Sequence, residues 1–564
     1  MPKSLLPYLT LLYYLAAAAS PLAAQDLEQA AGTFRSRLKD RPVRITGALN
    51  AGYQYADITG APARFDGSDW NVAAQLNLDI LGIQAPFSAY ISDRNRLYNL
   101  PSYQFIGFSP SYKWATVHAG DRSMNFNEFT FSNQNFRGVG TELTPGRWRI
   151  AGMYGRLNRL QLGDFNARQD LQISYRRMGY AGEVGYEGDK FSVKGILFGA
   201  NDELPDDVEM SAIRGLAPAR NVVASLEGRV QILERLTLQS TFAHSWITDN
   251  SRAVGIPDSI ISGLFNPNAA TSRETALRTN LNYGRERANY TLGYERISPN
   301  YRSLGTLYIT PDRENVTLGS AFQFLENKVT LALNGGLQRN NLADNRANVQ
   351  RRFIGQVAAT ARIGERVSTN LNLSNFRNTS RLRTFFDPRT STDSLFIAQV
   401  NRSARVGVRM TRPKEKAPGT WSLDFSVQDA QAIQDEMLTT FASTNYNTYL
   451  GYAGRLRSGL TYQVQTLYGL TRAEGLDNRI ISPSLALGKE FNDGKLSLGL
   501  NSAYSFVNYE NRDPGRVLVG RLTAGWRVFE QGTLTARTQY TRRTLGDTDP
   551  LSEIIAALNY AWNF

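Results

Sequence analysis

The sequence predicts an all-β chain that closes into one large transmembrane antiparallel up-and-down β-barrel of about 26 strands, with 24 also compatible. Three observations predict it. Apolar and polar residues alternate from Val43 to Phe564 in runs of roughly 9–14, the length a tilted membrane-crossing strand needs. The connections between runs alternate between short and long. All seven tryptophans fall at the ends of runs.

Composition removes the competing classes. The chain has 564 residues, a net charge of +13, two His and no Cys. The absence of Cys excludes a disulfide framework, a thiolate metal site and a cysteine nucleophile. Two His leave little for an imidazole metal cluster, and no cofactor is expected. A negative mean hydropathy with no second long apolar run excludes a helical membrane protein.

The first segment reads as an address. Lys3 gives a short positive start, Leu5 to Ala19 is an apolar core, and Leu22-Ala-Ala24 precedes Gln25. This is the layout of a secretory signal peptide over 1–24. Residues 25–42 read as an N-terminal periplasmic segment in which Leu27, Ala30, Ala31, Phe34 and Leu38 recur at helical spacing, which suits a short amphipathic helix, an undocked tail being the alternative. The barrel is expected over 43–564.

Within the barrel the alternation is cleanest at the end of the chain. Ile554, Ala556, Leu558, Tyr560, Trp562 and Phe564 share one parity, and Ile555, Ala557, Asn559, Ala561 and Asn563 share the other. A period of two places one set on each face of a strand. A soluble sandwich also alternates, but its second face would be apolar, whereas here that face carries small and amide residues with many Arg. Short turns such as Thr144-Pro-Gly-Arg147 and Asn492-Asp-Gly494 contrast with long links such as 248–273 and 298–311. Membrane barrels have this asymmetry, with short periplasmic turns and longer extracellular loops. Twelve short turns and thirteen long loops give 26 strands starting between Val43 and Ser552, and the stretch from Asn99 to Phe126 is the most irregular.

Trp114, Trp148, Trp421, Trp526 and Trp562 adjoin short turns or the C-terminus, and Trp70 and Trp246 adjoin long loops. That is the placement of an aromatic girdle at two bilayer interfaces. Arg402 breaks the pattern by sharing parity with Val400, Val406 and Val408. It belongs either near the outer rim or beside a bulge that flips the parity.

A circle of 26 strands is roughly 50 Å across. Left open, it would abolish the membrane as a barrier, so the wall must flatten, loops must fold inward, or a plug, lipoprotein or other protein subunit must fill it. Pro257 to Phe265, with Ile260, Ile261, Leu264 and Phe265, is the best candidate for an inward segment, packing onto neighbouring loops being the alternative. Arg supplies 53 of the 63 basic residues. Arg229, Arg278, Arg362, Arg405, Arg521 and Arg537 have lumen parity and could line an anion path, because guanidinium groups hold anions through paired hydrogen bonds. Neutralisation by wall carboxylates is the competing role. His118 and His244 lie on separate strands, and nothing marks them as part of a catalytic triad, so no enzyme activity is expected.

The terminal stretch Leu558-Asn-Tyr-Ala-Trp-Asn-Phe564 resembles the C-terminal assembly signal of bacterial outer-membrane barrels, with Leu558, Tyr560, Trp562 and Phe564 at alternate positions. The resemblance implies outer-membrane lipids and the barrel assembly machinery as partners, and a location in the outer membrane. Phe108-Ser-Pro-Ser-Tyr-Lys-Trp114, Phe136-Arg-Gly-Val-Gly-Thr-Glu-Leu-Thr-Pro-Gly-Arg-Trp-Arg149 and Met153-Tyr-Gly-Arg-Leu-Asn-Arg159 are similar to a group of large, uncharacterised outer-membrane β-barrel proteins of Bacteroidota-type bacteria. TonB-dependent receptors have similar strands but carry an N-terminal plug domain with no counterpart here. The expected function is a porin-like channel or translocation conduit for polar or anionic cargo, gated by loops or a partner. The alternative is a non-conducting scaffold that docks a lipoprotein or surface protein. Nucleic acid is not an expected partner.

Overall fold

The computed structural model describes residues 43–564 except 61–66, 81, 94–103, 161–173, 204–216, 257–264, 347, 383–394, 413–417, 435–436, 439–441, 474–476, 511, 545 and 547–548. The leader, the helix expected over 25–42 and nearly all of the segment Pro257–Phe265 lie outside the described residues.

The described residues form thirty strands, from β1 (Val43–Thr59) to β30 (Leu551–Asn563). Twenty-six of them make a closed antiparallel barrel. Two short pieces, β5 (Ser111–Tyr112) and β23 (Met437–Leu438), extend the wall. Two others, β7 (Phe131–Ser132) and β16 (Gly305–Thr306), form a separate pair. Each wall strand pairs with its neighbour in sequence, and β1 closes the ring on β30 from Ala48↔Asn563 to Thr59↔Ser552. Phe564 completes the seam, because its backbone N–H and carbonyl both bond Gly47, at 3.0 and 2.9 Å. Closure leaves no unpaired wall edge, which is what a sheet in lipid requires.

The strand count matches the expectation, and most starts fall within three residues of it. β28 (Arg512–Arg527) begins four residues before the expected Arg516, so its link to β27 (Leu496–Tyr509) is only residues 510–511. The irregular stretch is also confirmed. β4 (Gln104–Phe108) stops at Ser109-Pro110, and the wall resumes with β5 and β6 (Ala115–Ser123).

Both termini of the barrel lie at one rim, here the terminal rim, where most connections are short. Several turn by left-handed backbone. Leu325, Glu326 and Asn327 have φ of 51, 55 and 67°, and Asn492-Asp493-Gly494 have 52, 52 and 82°. Asn, Asp and Gly tolerate that region best. The opposite loop rim carries the longer connections.

The outer face is apolar at mid-strand. Leu318 is 56% exposed, Leu337 63% and Leu522 59%. On a water-facing sheet so continuous a band would drive aggregation; around a barrel it matches acyl chains. Trp148, Trp421, Trp526 and Trp562 lie on outward positions at the terminal rim, Trp114 sits in the turn before β6, and Trp70 and Trp246 lie toward the loop rim.

Arg402 keeps its outward parity. The ladders of β21 (Leu395–Thr411) with β20 (Val367–Leu382) and β22 (Gly419–Gln434) run without a register shift through it. No bulge intervenes, so its position decides. It lies eight residues from Met410, which pairs with Trp421 of the terminal girdle. At about 3.4 Å per residue and a tilt near 40°, that is roughly 21 Å, close to the far edge of the apolar band. Asp429 stands directly opposite.

Candidate functional site: a lumen with one dry wall

The interior divides into two unlike sectors. In β9 (Trp148–Asn158) both faces are apolar: Ile150 and Tyr154 point outward, while Ala151, Met153 and Leu157 point inward. The same holds on neighbouring strands for inward Ala181, Ile196, Phe198, Ala200, Val223, Ala243, Ile247, Ala276 and Ile297, all of them buried. Apolar residues facing an aqueous lumen would be costly, so something must cover them.

Two loop-rim connections do so. Residues 124–134, between β6 and β8 (Asn135–Leu143), bring Met124, Phe126, Phe129 and Phe131 onto this wall. Residues 298–312, between β15 (Ala288–Ile297) and β17 (Arg313–Phe324), add Tyr301 and Leu304. The small wall residues Ala181, Ala200, Ala243 and Ala276 leave room for these large side chains. Phe131 packs 5.7 Å from Phe198 and 6.4 Å from Phe136, ring centre to ring centre, and Phe129 lies 6.1 Å from Tyr301. Phe131 and Tyr301 are wholly enclosed.

Hydrogen bonds join the two loops to each other and to the wall. Gly305 and Thr306 pair in parallel with Phe131 and Ser132. Tyr301 donates its hydroxyl to the Phe129 carbonyl at 2.8 Å, and Ser303 donates to the Thr130 carbonyl. The Leu304 N–H donates to Asn221 Oδ1 at 3.0 Å, and Ser245 donates to the Arg302 carbonyl at 2.6 Å. Asn127 Nδ2 donates to Ser225 Oγ at 2.7 Å. Arg278 clamps Glu128 of the first loop and Glu295 of the wall, and Arg313 reaches Glu295 at 2.8 Å. Partial burial pushes the Glu128 carboxyl above the ordinary carboxylate range, against the opposing pull of Arg278. Burial likewise raises the Tyr301 phenol.

The opposite sector is wet. On β19 (Asn348–Ile363) through β22, and on β28 and β29 (Gly532–Thr544), most lumen positions carry Asn, Gln, Ser, Thr or Arg, with Ile354, Phe376, Val517 and Val519 among the exceptions. All six candidate arginines hold lumen positions, but in different company. Arg278 is fully engaged in the loop clamp, and Arg405 lies 3.1 Å from Asp424. Arg521 donates to Gln539 Oε1 at 2.8 Å, and Arg537 approaches the same oxygen at 3.5 Å. Arg229 and Arg362 are exposed and form no ion pair among the described residues. Neutralisation therefore accounts for two of the six.

The two docked loops lie outside Pro257–Phe265. Of Pro257–Phe265, Phe265 is buried and the rest lies outside the described residues. The sequence carries a trace of the docked pair, because strands from β9 to β15 set apolar residues such as Met153, Phe198, Val223, Ile247 and Ile297 at lumen parity.

One further constellation unites residues far apart in function space. Ser109 Oγ lies 2.9 Å from His118 Nδ1, and His118 Nε2 lies 3.3 Å from Glu142 Oε1. The order is that of a nucleophile relay, but Ser109 is only 8% exposed. Glu142 is also shared with Arg149 at 3.4 Å. A covered hydroxyl has no path to substrate, so this chain of bonds pins the split strand at Ser109-Pro110 to β6 and β8. No group of three or more metal-ligating side chains occurs among the described residues.

No family model matches the sequence, and no curated protein matches it. Among solved structures, the chain is similar to the ferric enterobactin receptor of Pseudomonas aeruginosa, at 10% identity over 92% of this chain and 80% of that one, with a TM-score of 0.43. It is similar to an FrpB iron transporter of Neisseria meningitidis, at 11% identity over 92% and 82%, TM-score 0.35. It is also similar to the P pilus usher translocation pore, at 11% identity over 92% and 99%, TM-score 0.36.

Proposed function

We propose that this protein is an outer-membrane conduit for polar, anionic solutes, narrowed along one wall by two docked loops. The observation that carries this reading is the unequal interior. One sector is dry and covered by loops 124–134 and 298–312, while the facing sector stays polar and holds Arg362, Arg521 and Arg537 without carboxylate partners among the described residues. A layer on one wall leaves a passage beside it, and an arginine-lined passage attracts anions. The loops gate the passage by leaving that wall. In the proposed orientation the terminal rim faces the periplasm and the loop rim the exterior, as the position of the termini favours.

Planar-bilayer recording of the full-length barrel tests it. Discrete current steps with a reversal potential of anionic sign are expected in a salt gradient. A folded barrel that passes no current would favour the second reading, a scaffold that docks a surface protein. That reading draws on apolar residues left exposed at the loop rim, Tyr308 at 90% and Val254 at 81%.

A further inference from the structure

Over Thr461–Thr544 the outward-facing arginines all stand at the loop-rim edge. Outward parity is fixed on β25 (Thr461–Ala473) by exposed Val464 and Tyr468, and on β26 (Asn478–Phe491) by exposed Ile481 and Leu485. Phe506 fixes it on β27 and Leu522 on β28, and the ladder carries it to Tyr540 of β29. At the loop-rim ends of these outward rows stand Arg472, Arg479, Arg516 and Arg542, all exposed. Arg479 faces Leu470, one diagonal step from Arg472. Arg542 faces Leu518, one diagonal step from Arg516. Asn508 of β27 stands between the two pairs, opposite Arg479.

Their height is that of a headgroup layer. Arg516 lies ten residues along β28 from Trp526, and Arg472 ten along β25 from Tyr462. At about 3.4 Å per residue and a tilt near 40°, each separation is roughly 26 Å, against an apolar band about 25 Å tall. The opposite edge of the same five strands presents only Lys489 outward, and its ammonium lies over the Phe491 ring.

The patch forms no ion pair with the wall among the described residues. Apart from Asp513 in the bulge that follows Arg512, no Asp or Glu holds an outward position on β25 to β29. Asp477 and Glu510 lie in the connections, and Asp513 sits in the bulge opposite Asn508, where the β27–β28 register shifts; no ion pair to the four arginines occurs among the described residues. Four like charges on adjacent strands repel, so the arrangement calls for an external anion. Guanidinium groups hold phosphate through two parallel hydrogen bonds. The patch crosses five strands, roughly 19 Å at about 4.8 Å per strand, too wide for a single phosphodiester headgroup. Directly beneath it, Ile481, Phe506, Leu518 and Leu522 offer a surface for acyl chains.

We propose that Arg472, Arg479, Arg516 and Arg542 form a docking site for an outer-leaflet glycolipid bearing more than one phosphate. The proposal rests on the outer-membrane orientation given above and is independent of whether the lumen conducts.

The test is native mass spectrometry of the full-length barrel in detergent, titrated with diphosphoryl lipid A, monophosphoryl lipid A, phosphatidylglycerol or inorganic phosphate. The diphosphoryl form is expected to bind at least tenfold more tightly than the other three. The variant R472Q/R479Q/R516Q/R542Q should lose that preference, while K489Q at the far edge should keep it. The pairs R472Q/R479Q and R516Q/R542Q provide folded variants should the fourfold change fail to assemble, and each should weaken binding. Undiminished diphosphoryl binding by the arginine variants, or equal binding of phosphatidylglycerol or free phosphate by the unmodified barrel, overturns the proposal. Bilayer current in the fourfold variant should match the unmodified protein, which separates this site from the conduit.

Discussion

Replacing Phe129 and Phe131 with Ala should release the first inward loop. Phe129 is 2% exposed and Phe131 is 0%, and both bury their rings against the apolar wall and the second loop. Truncating an enclosed Phe to Ala costs about 3–5 kcal/mol. The cost falls on the docked state alone, because a released loop exposes either residue to water. At about 1.4 kcal/mol per tenfold, one substitution worth about 4 kcal/mol shifts the docked-to-released ratio by roughly 10³. The two rings meet different neighbours, Tyr301 for Phe129 and Phe136 with Phe198 for Phe131, so the effects should largely add. Single-channel recording reads the outcome. Either single variant should flicker to a larger conductance, and F129A/F131A should dwell there. Sheet content by circular dichroism and heat-dependent gel mobility establish that the variants are folded barrels. A folded double variant with an unchanged unitary conductance would refute the argument that these rings hold a gate.

Three other expectations follow from the same geometry. A Cβ on Gly305 would lie 2.5 Å from the Thr130 carbonyl oxygen and 2.7 Å from the Phe198 ring, so Gly305→Val should part the two loops; trypsin should then cut after Arg302 faster than in the unmodified protein, and an unchanged rate counts against the packing described. Because docking raises the Glu128 carboxyl, its contribution to docking is full below the ordinary carboxylate pKa and is lost as pH rises through the raised value. Open time should therefore fall on acidification from pH 7.5 to 4, and Glu128→Gln should remove this dependence; an equal response in the variant contradicts the assignment. Substituting Ser for Arg362, Arg521 and Arg537 together should move the reversal potential toward non-selectivity, while Arg405→Ser, which also frees the paired Asp424, should leave the other three arginines in control.

The wall was legible because its rule is local. Period-two alternation needs only neighbouring residues, so runs such as Ile554 to Phe564 revealed strand, face and register together, and Asn492-Asp-Gly494 revealed a turn. The count failed to place an edge only where residues 510–511 make a loop-rim link too short to interrupt the pattern. The lumen was less legible because its rule is non-local. Phe131 meets Gly305 across a sequence gap that no periodicity spans. Its trace survives as doubled apolarity: Met153, Phe198 and Ile247 sit where a wet lumen predicts polar residues. The apolar look of Ile260, Ile261 and Leu264 pointed to a further candidate inward loop, which lies outside the described residues. The arginines sorted by a third rule. Parity gave all six a lumen position, but only coordinates distinguish Arg278, spent on Glu128 and Glu295, from Arg362, which has no such partner among the described residues.

The division of the interior follows from scale. A ring of 26 strands encloses a width of roughly 50 Å, and loops of the length of 124–134 and 298–312 cannot fill it. Two loops of that length can cover one wall but cannot form a central plug. Covering a wall demands that the wall offer apolar surface, which strands β9 to β15 do by setting Ala at the positions where Phe129, Phe131 and Tyr301 arrive. That sector becomes three layers deep, with lipid outside, sheet between and loops within, and its buried rings and Asn221, Ser225 and Ser245 contacts hold it in one arrangement. Among the described residues the facing sector is a single sheet between lipid and water, with no second layer to brace it. Any change in bore is therefore expected where the loops meet the open lumen. There, Arg278 is the hinge point of charge, because it holds one carboxylate of the moving loop and one of the fixed wall.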